Sequence, residues 1–274
     1  MTRALKDTGA TEWLLRREKY VVASALAVLV VLAVFYTVAG IGMNMSAIDM
    51  TRMARTPGAP MSMQMAPVWT AGYATLVFFM WWIMMIAMMT PSAAPLVLLY
   101  VAIKRTGADR GNASRDAILL LAGYLTAWAG FSLVAASLHW AADVVGMTSA
   151  AIMTLKGQWP AGLVLIVAGL YQFTPLKRAC LAHCRAPAQF LADHNRSGPL
   201  GAFRMGADHG VYCLGCCWAL MALLFVGGIM NLVWITGLAT YVVIEKYMPY
   251  GELVSKIAGI GLVAWGVAMI WGGG

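Results

Sequence analysis

The sequence predicts an all-α fold, a polytopic bundle of about seven transmembrane helices, on the basis of three observations. Of its 274 residues, 61% are hydrophobic and only 11% are charged, whereas soluble domains carry about 25% charged residues. The mean hydropathy is +0.76. Apolar segments recur along the chain at the length of about 20 residues that a helix needs to cross a hydrocarbon core about 30 Å thick.

Seven segments have this length and composition. They are Tyr20–Gly40, Gly72–Ile103, Ala117–Trp140, Gln158–Thr174, Val211–Met230, Leu232–Met248 and Ser255–Trp271. Only a short turn near Asn231 separates the fifth and sixth spans. The first apolar run is longer than that of a cleavable signal peptide, and no small-residue cleavage site follows it cleanly. We therefore expect it to remain as a helix.

The positions of lysine and arginine orient the predicted bundle. If the N-terminus is cytoplasmic and the spans alternate, sixteen of the nineteen basic residues face the cytoplasm, and only Arg52, Arg55 and Lys156 lie outside. This asymmetry follows the positive-inside rule and predicts an N-in, C-out protein of the bacterial cytoplasmic membrane. Basic loops beside an anionic lipid surface account for the net charge of +8. No motif indicates a nucleic-acid partner.

No internal repeat divides the chain, so we predict a cytoplasmic tail, 1–19, and a single transmembrane domain, 20–274. Two loops within this domain stand out. The outer loop, 41–70, is rich in methionine and proline, and the cytoplasmic loop, 175–210, carries cysteine and histidine. Proline-rich segments of this kind are rarely regular.

The strongest chemical signal is the stretch HGVYCLGCC at the start of the fifth span. On a helix, His209, Cys213, Cys216 and Cys217 fall within roughly 100° of arc, because each residue advances about 100°. Thiolate and imidazole are ligands of soft and borderline metals such as Cu(I) and Zn(II). Cysteine also packs as a small hydrophobic residue, but three cysteines and a histidine on one face favour a metal or redox site.

A second cysteine pair precedes this stretch, in the sequence CLAHC. If the segment is helical, Cys180 and Cys184 share a face; if it is a loop, both can still converge on one ion. The spacing is loose, and two ordinary cytoplasmic thiols are an equal alternative. In a reducing compartment, clustered thiols are more often metal ligands or redox groups than structural disulfides.

Methionine is concentrated in one part of the chain, since twelve of the twenty lie between Met43 and Met89. In the second span, Met80, Met84 and Met88 repeat every four residues, with Met85 and Met89 beside them, so the rows share a helix face. Thioethers select Cu(I) over hard ions, although methionine also fills apolar gaps. Candidate positions for metal capture in the outer loop are Met43, Met45, Met61, Met63 and Met65.

An acidic residue and a histidine mark the outer end of the third span. His139 and Asp143 are four residues apart, and ionisable residues at a membrane edge are candidates for function. A polar pair that only orients the helix end is the simpler alternative. Motifs for ATP hydrolysis, zinc proteolysis and serine hydrolysis are missing, so a non-enzymatic role is favoured.

Three blocks of the sequence identify a family resemblance. WWIMMIAMMTPSAAP (Trp81–Pro95), TPLKRACLAHCRAP (Thr174–Pro187) and HGVYCLGCCWALM (His209–Met221), continuing through GGIMNLVWI, resemble a bacterial family of predicted metal-binding integral membrane proteins. The similarity covers nearly all of the chain from the first span onward. It implies a membrane location and metal binding, but no reaction and no assigned catalytic residue.

Together these patterns predict a membrane protein that binds a soft metal ion, most simply Cu(I), and transfers or transports it. Zn(II) accepts the same ligands. In this hypothesis outer methionines collect the ion, the second span relays it, and the thiols receive it. The alternatives are a metal-binding subunit or assembly factor of a membrane metalloenzyme, and a thiol redox protein that uses Cys216 and Cys217 or Cys180 and Cys184. Expected partners are the lipid bilayer and a metallochaperone or metalloenzyme.

Overall fold

The computed structural model describes residues 2–41, 46–55, 68–106, 110–148 and 153–272, with side chains from Tyr20 onward except at 53–55 and 110. This part of the chain is helical and contains no strand, as predicted. Its helices are α1 Thr2–Ala39, α2 Ala47–Arg55, α3 Ala71–Thr106, α4 Ala113–Val144, α5 Gln158–Tyr171, α6 Pro175–Arg185, α7 Pro187–Asp193, α8 Gly198–Ala222, α9 Leu224–Gly227, α10 Leu232–Tyr247 and α11 Gly251–Trp271. The tail and the first predicted span form one continuous helix.

Five stretches of the described chain are long and apolar enough to cross a membrane. They are Tyr20–Ala39, Ala71–Thr106, Ala113–Val144, Gly198–Gly227 and Gly251–Trp271. The fourth and sixth predicted spans correspond to α5 and α10, which have only 14 and 16 residues. At 1.5 Å per residue these two helices are about 21 and 24 Å long, short of the hydrocarbon core. A sixth crossing exists if α5 and α6 form one bent span.

The segment predicted as a Cys/His loop, 175–210, is largely helical. It contains α6, α7 and the first half of α8. Thr174 and Pro175 start α6, since the Thr174 hydroxyl accepts a hydrogen bond from the Lys177 amide, 3.3 Å away, and proline suits the first turn. The axis bends by 65° between α5 and α6. This bend lays α6, with both of its cysteines, against α8.

Glycines bring α8 close to α4, its most extensive partner. A Cβ atom on Gly206 would overlap the carbonyl oxygen of Leu120, and one on Gly123 would overlap that of Phe203. Small residues at helix contacts allow this approach of two backbones. The α4–α8 contact therefore sets the position of the cysteine-bearing turns of α8 relative to the rest of the bundle.

Replacing Gly206 by alanine should destabilise the bundle, because the added methyl group has no space and α8 must move away from α4. We expect a loss of about 1–3 kcal/mol, as for overpacked cores, measured as a lower thermal midpoint in detergent. Gly130→Ala is the matched control on α4, since a Cβ there meets no atom within 4 Å. Equal midpoints for the two variants would contradict the close α4–α8 contact.

A buried polar network joins α6 to α10 and α11. Lys177 and Glu245 are both inaccessible to solvent, with Nζ and Oε1 2.5 Å apart. The same carboxylate oxygen accepts hydrogen bonds from Ser255 and, at 3.2 Å, from the Tyr241 hydroxyl. A buried charge persists only when it is paired and hydrogen-bonded. Lys177 and Lys246 are among the sixteen basic residues that the predicted topology places on the cytoplasmic side, and both side chains are buried in the bundle.

Candidate metal centre

Three thiols from two helices converge in the interior. The Sγ atoms of Cys184 on α6 and of Cys213 and Cys216 on α8 all lie within 4.8 Å of one another. The Sγ atoms of Cys184 and Cys216 are 4.0 Å apart. Cys213 and Cys216 are inaccessible to solvent, and Cys184 is 9% exposed. We call these three residues the three-thiol cluster.

Two thiols of α8 share one hydrogen-bond acceptor because of their spacing along the helix. The thiols of Cys216 and Cys217 each donate to the carbonyl oxygen of Cys213, at 3.0 and 2.9 Å. Side chains three and four residues apart return to the same face of a helix. The predicted cysteine face of α8 is therefore present. The bend before α6 places Cys184 next to this face.

Cys213 also has two polar neighbours from other helices. The ammonium of Lys246 on α10 lies 3.0 Å from the Cys213 Sγ atom and 2.9 Å from the Ser92 hydroxyl on α3. The Tyr124 hydroxyl on α4 lies 3.3 Å from the same sulfur and 3.1 Å from the Met89 carbonyl, to which it donates. A buried ammonium beside sulfur stabilises the thiolate form, which is the form that binds metals.

The remaining cysteines lie beside the three-thiol cluster. Cys180 is on α6 one turn before Cys184, and its Sγ atom contacts α8 at Gly215, where a Cβ would come within 2.5 Å of it. Cys217 is fully buried and shares the Cys213 carbonyl with Cys216. All five cysteines of the chain are thus free, buried and close together, but only three of them meet the distance requirement of one ion.

His209 lies one turn before Cys213 and is buried, but it is not a member of the three-thiol cluster. Its ring is near those of Tyr124 and Phe190, with centroids 5.9 and 5.0 Å away. Its Nδ1 atom has no hydrogen-bond partner among the described residues. The predicted histidine ligand therefore faces an aromatic layer next to the thiols.

The methionine rows of α3 lie in the same hydrophobic core as the thiols. Met84, Met85, Met88 and Met89 are almost completely buried there. Helix α3 packs mainly against α1, α4 and α10, rather than against α8. The described polar contacts link α3 to Cys213 through Tyr124 and through Lys246. A relay from methionine to cysteine thus remains a prediction.

The prolines of α3 contribute to this link. Pro91 and Pro95 lie inside the helix, and Pro95 has no N–H group to donate to the Pro91 carbonyl. The Tyr247 hydroxyl donates to that carbonyl at 3.4 Å and to the Ser92 carbonyl at 3.2 Å. The carbonyl freed by proline therefore helps to fix the end of α10 next to Lys246.

The predicted outer polar residues do not pair with each other by a described hydrogen bond. The Asp143 carboxylate accepts from the Trp69 indole at 2.6 Å and from the Thr148 hydroxyl at 2.8 Å. His139 is buried between the rings of Trp69 and Phe225. These contacts tie the segment before α3 to the end of α4. The outer-loop positions Met43, Met45, Met61, Met63 and Met65 lie outside the described residues.

Sequence reasoning missed Lys246 and Tyr124 as neighbours of the thiols. The available signal for Lys246 was the pair Glu245–Lys246 inside an otherwise apolar predicted span, since charged residues within such spans are rare and usually functional. No local signal distinguishes Tyr124 from the other tyrosines of the chain, because its role depends on the packing of α4 against α8.

The fold and the three-thiol cluster define a class: a helical protein with several helices apolar enough to cross a membrane and a buried sulfur site suited to a soft metal. A family model described as PpoB2, copper chaperone, matches residues 78–269. The chain belongs to this copper chaperone family, which confirms the prediction of a metal-binding family. No curated protein and no solved structure matches the chain.

Proposed function

We propose that this protein resides in a membrane, binds Cu(I) on Cys184, Cys213 and Cys216, and transfers the ion to an acceptor by ligand exchange. The observation that carries this proposal is the convergence of three buried Sγ atoms within 4.8 Å. Membership of a copper chaperone family supports copper as the ion. The cargo is bound and released without ATP, because thioether and thiolate ligands exchange directly.

The number and type of ligands favour Cu(I) over Zn(II). Soft thiolates suit both ions, but structural zinc sites almost always have four nitrogen or sulfur ligands. Among the described histidine, cysteine and acidic side chains, the cluster contains three members and no fourth. A site with three sulfur ligands therefore suits Cu(I), which the protein must also release to an acceptor.

Charge balance supports the same assignment. Three thiolates and one Cu(I) carry a net charge of minus two, which is costly to bury. The Lys246 ammonium lies 3.0 Å from the Cys213 sulfur and reduces that charge to minus one. The adjacent Glu245 is already compensated by Lys177, so the positive charge of Lys246 remains available to the thiolates.

The site and the apolar helices together suggest a route for the ion. In this proposal Met84, Met85, Met88 and Met89 form a thioether path beside the three-thiol cluster, and α6 and α7 separate the cluster from the aqueous side. The protein then either delivers copper to a metalloenzyme on one side of the membrane or moves it across. The family description favours delivery.

The test is metal content and transfer, measured on protein purified in mild detergent from cells supplied with copper and zinc. We expect about one copper per chain that stays bound through purification, and the loss of this tightly bound copper in the Cys184→Ser/Cys213→Ser/Cys216→Ser variant. Copper transfer to an apo copper protein, without uptake into sealed vesicles, would support delivery; uptake would support transport. Stoichiometric zinc without copper would contradict the proposal.

One distance favours a second candidate function, thiol redox chemistry. The Cys184 and Cys216 Sγ atoms are 4.0 Å apart, so a small movement of α6 towards α8 would bring them to the disulfide length of about 2.05 Å. This pair differs from the two pairs predicted from the sequence.

Diamide treatment of the metal-free protein should join Cys184 to Cys216. The two thiols lose two electrons and two protons, and the diamide takes up both. The product is identified as a disulfide-linked peptide by mass spectrometry, and prior loading with copper should prevent it because the sulfurs are then occupied. If prior loading with copper does not lower the yield of the cross-linked product, a redox role is favoured over a metal site.

A further inference from the structure

Three of the four histidines surround a small aromatic layer next to the thiols. The His183 ring is stacked on Tyr212, with centroids 4.2 Å apart and planes 3° from parallel. The His194 ring is stacked on Phe190 in the same way, at 4.5 Å and 19°. Helices α6, α7 and α8 each contribute to this layer. His183 directly precedes Cys184, and Tyr212 directly precedes Cys213, so the layer occupies the same turns of α6 and α8 as the three-thiol cluster.

The hydrogen bonds of His183 and His194 identify the ring nitrogen that is free to bind an ion. The Nδ1 atom of His183 is 2.8 Å from the Ala179 carbonyl, and that of His194 is 3.2 Å from the Phe190 carbonyl. A carbonyl only accepts, so each Nδ1 carries the proton and each Nε2 presents a lone pair. A backbone carbonyl that orients the imidazole in this way is the usual second shell of a metal-binding histidine.

The separation of the two rings suits one shared ion. A metal lies about 2.0 Å from each imidazole nitrogen, so two rings that bind one ion from opposite sides have centroids roughly 6 Å apart. The centroids of His183 and His194 are 6.4 Å apart. Both side chains are partly exposed, whereas the thiols behind them are buried.

We propose that His183 and His194 form a second, weaker Cu(I) site through their Nε2 atoms, at which copper enters or leaves the three-thiol cluster. The role of this histidine site in copper transfer rests on the proposed function, whereas the existence of the site does not. In the inward step, two Cu–N bonds break as Cu–S bonds form. Copper remains Cu(I), no electron moves, and displaced thiol protons pass to the solvent.

Removal of the three-thiol cluster separates this second site from the first. The probe is Cu(I) supplied as its acetonitrile complex to the Cys184→Ser/Cys213→Ser/Cys216→Ser variant. We expect about one weakly bound copper per chain with a nitrogen shell in X-ray absorption, and its loss on adding His183→Phe and His194→Phe, which keep the stacked rings. Asn195→Ala, at an exposed neighbour, is the control and should retain the copper.

Loading kinetics provide the second measurement, on protein with all its cysteines. The His183→Phe/His194→Phe variant should still bind one copper at equilibrium, but at a rate about tenfold lower than the wild type or the Asn195→Ala control. An absence of copper from the triple serine variant, or equal loading rates, would overturn the inference. Copper on the histidines with none on the thiols would instead contradict the proposed function and leave this site standing.

Discussion

The Cys213→Ser variant should lose stoichiometric Cu(I) binding. Cys213 is the member of the three-thiol cluster that has Lys246 and Tyr124 as neighbours, at 3.0 and 3.3 Å. A serine hydroxyl is a hard ligand that Cu(I) disfavours. Changes in the second shell of a metal already cost about 10–100-fold in affinity, so we expect the loss of this ligand to cost more than about 100-fold in a chelator competition titration.

Cys180→Ser is the matched control for this prediction. Cys180 is a buried cysteine of α6, one turn from Cys184, but it is outside the three-thiol cluster. Its replacement should leave the stoichiometry unchanged and the affinity within a few-fold of the wild type. If Cys213→Ser and Cys180→Ser bind copper equally well, the assignment of Cys213 as a ligand is wrong.

Lys246→Leu should weaken Cu(I) binding by about 10–100-fold, the range expected when a group next to a metal ligand is removed. The substitution keeps an aliphatic side chain, adds no sulfur atom that could bind copper, and removes the positive charge beside the Cys213 sulfur. The copper complex would then hold a net charge of minus two in the protein interior, where charge is poorly solvated. The measurement is the same competition titration, performed at constant pH.

Ser92→Ala tests how the position of the Lys246 ammonium affects copper binding without removing its positive charge. The Ser92 hydroxyl is the other described partner of the Lys246 ammonium, 2.9 Å away, and its loss leaves the positive charge in place. We expect only a small decrease in affinity for this variant. Tighter copper binding in Lys246→Leu than in the wild type would show that the ammonium competes with copper and would contradict its role as a compensating charge.

The fold was predictable where local sequence determines it. The predicted second span, Gly72–Ile103, corresponds closely to α3 at Ala71–Thr106, because the length of an apolar run sets the length of a helix. The predicted span Gln158–Thr174 instead forms a helix that ends at Tyr171. There the run continues into an amphipathic segment, and Thr174 and Pro175 end α5 and start α6 at an angle of 65°.

The candidate site was only partly predictable. Helical periodicity placed Cys213 and Cys216 on one face of α8, since that depends on spacing within one helix. The choice of Cys184 as their partner depends on how α6 folds back on α8, which no spacing within the sequence specifies. Lys246 was not predicted to lie beside the thiols, because its position there depends on the packing of α10 against α3 and α8.

The most direct test of the central claim is X-ray absorption spectroscopy of the copper-loaded protein. Cu(I) bound by the three-thiol cluster should show about three sulfur ligands at roughly 2.3 Å, close to the zinc–thiolate distance, and this shell should be lost in Cys213→Ser. Additional sulfur scattering that disappears in Met88→Leu would place α3 in the ligand set. A first shell made only of nitrogen or oxygen would contradict copper binding by the three-thiol cluster.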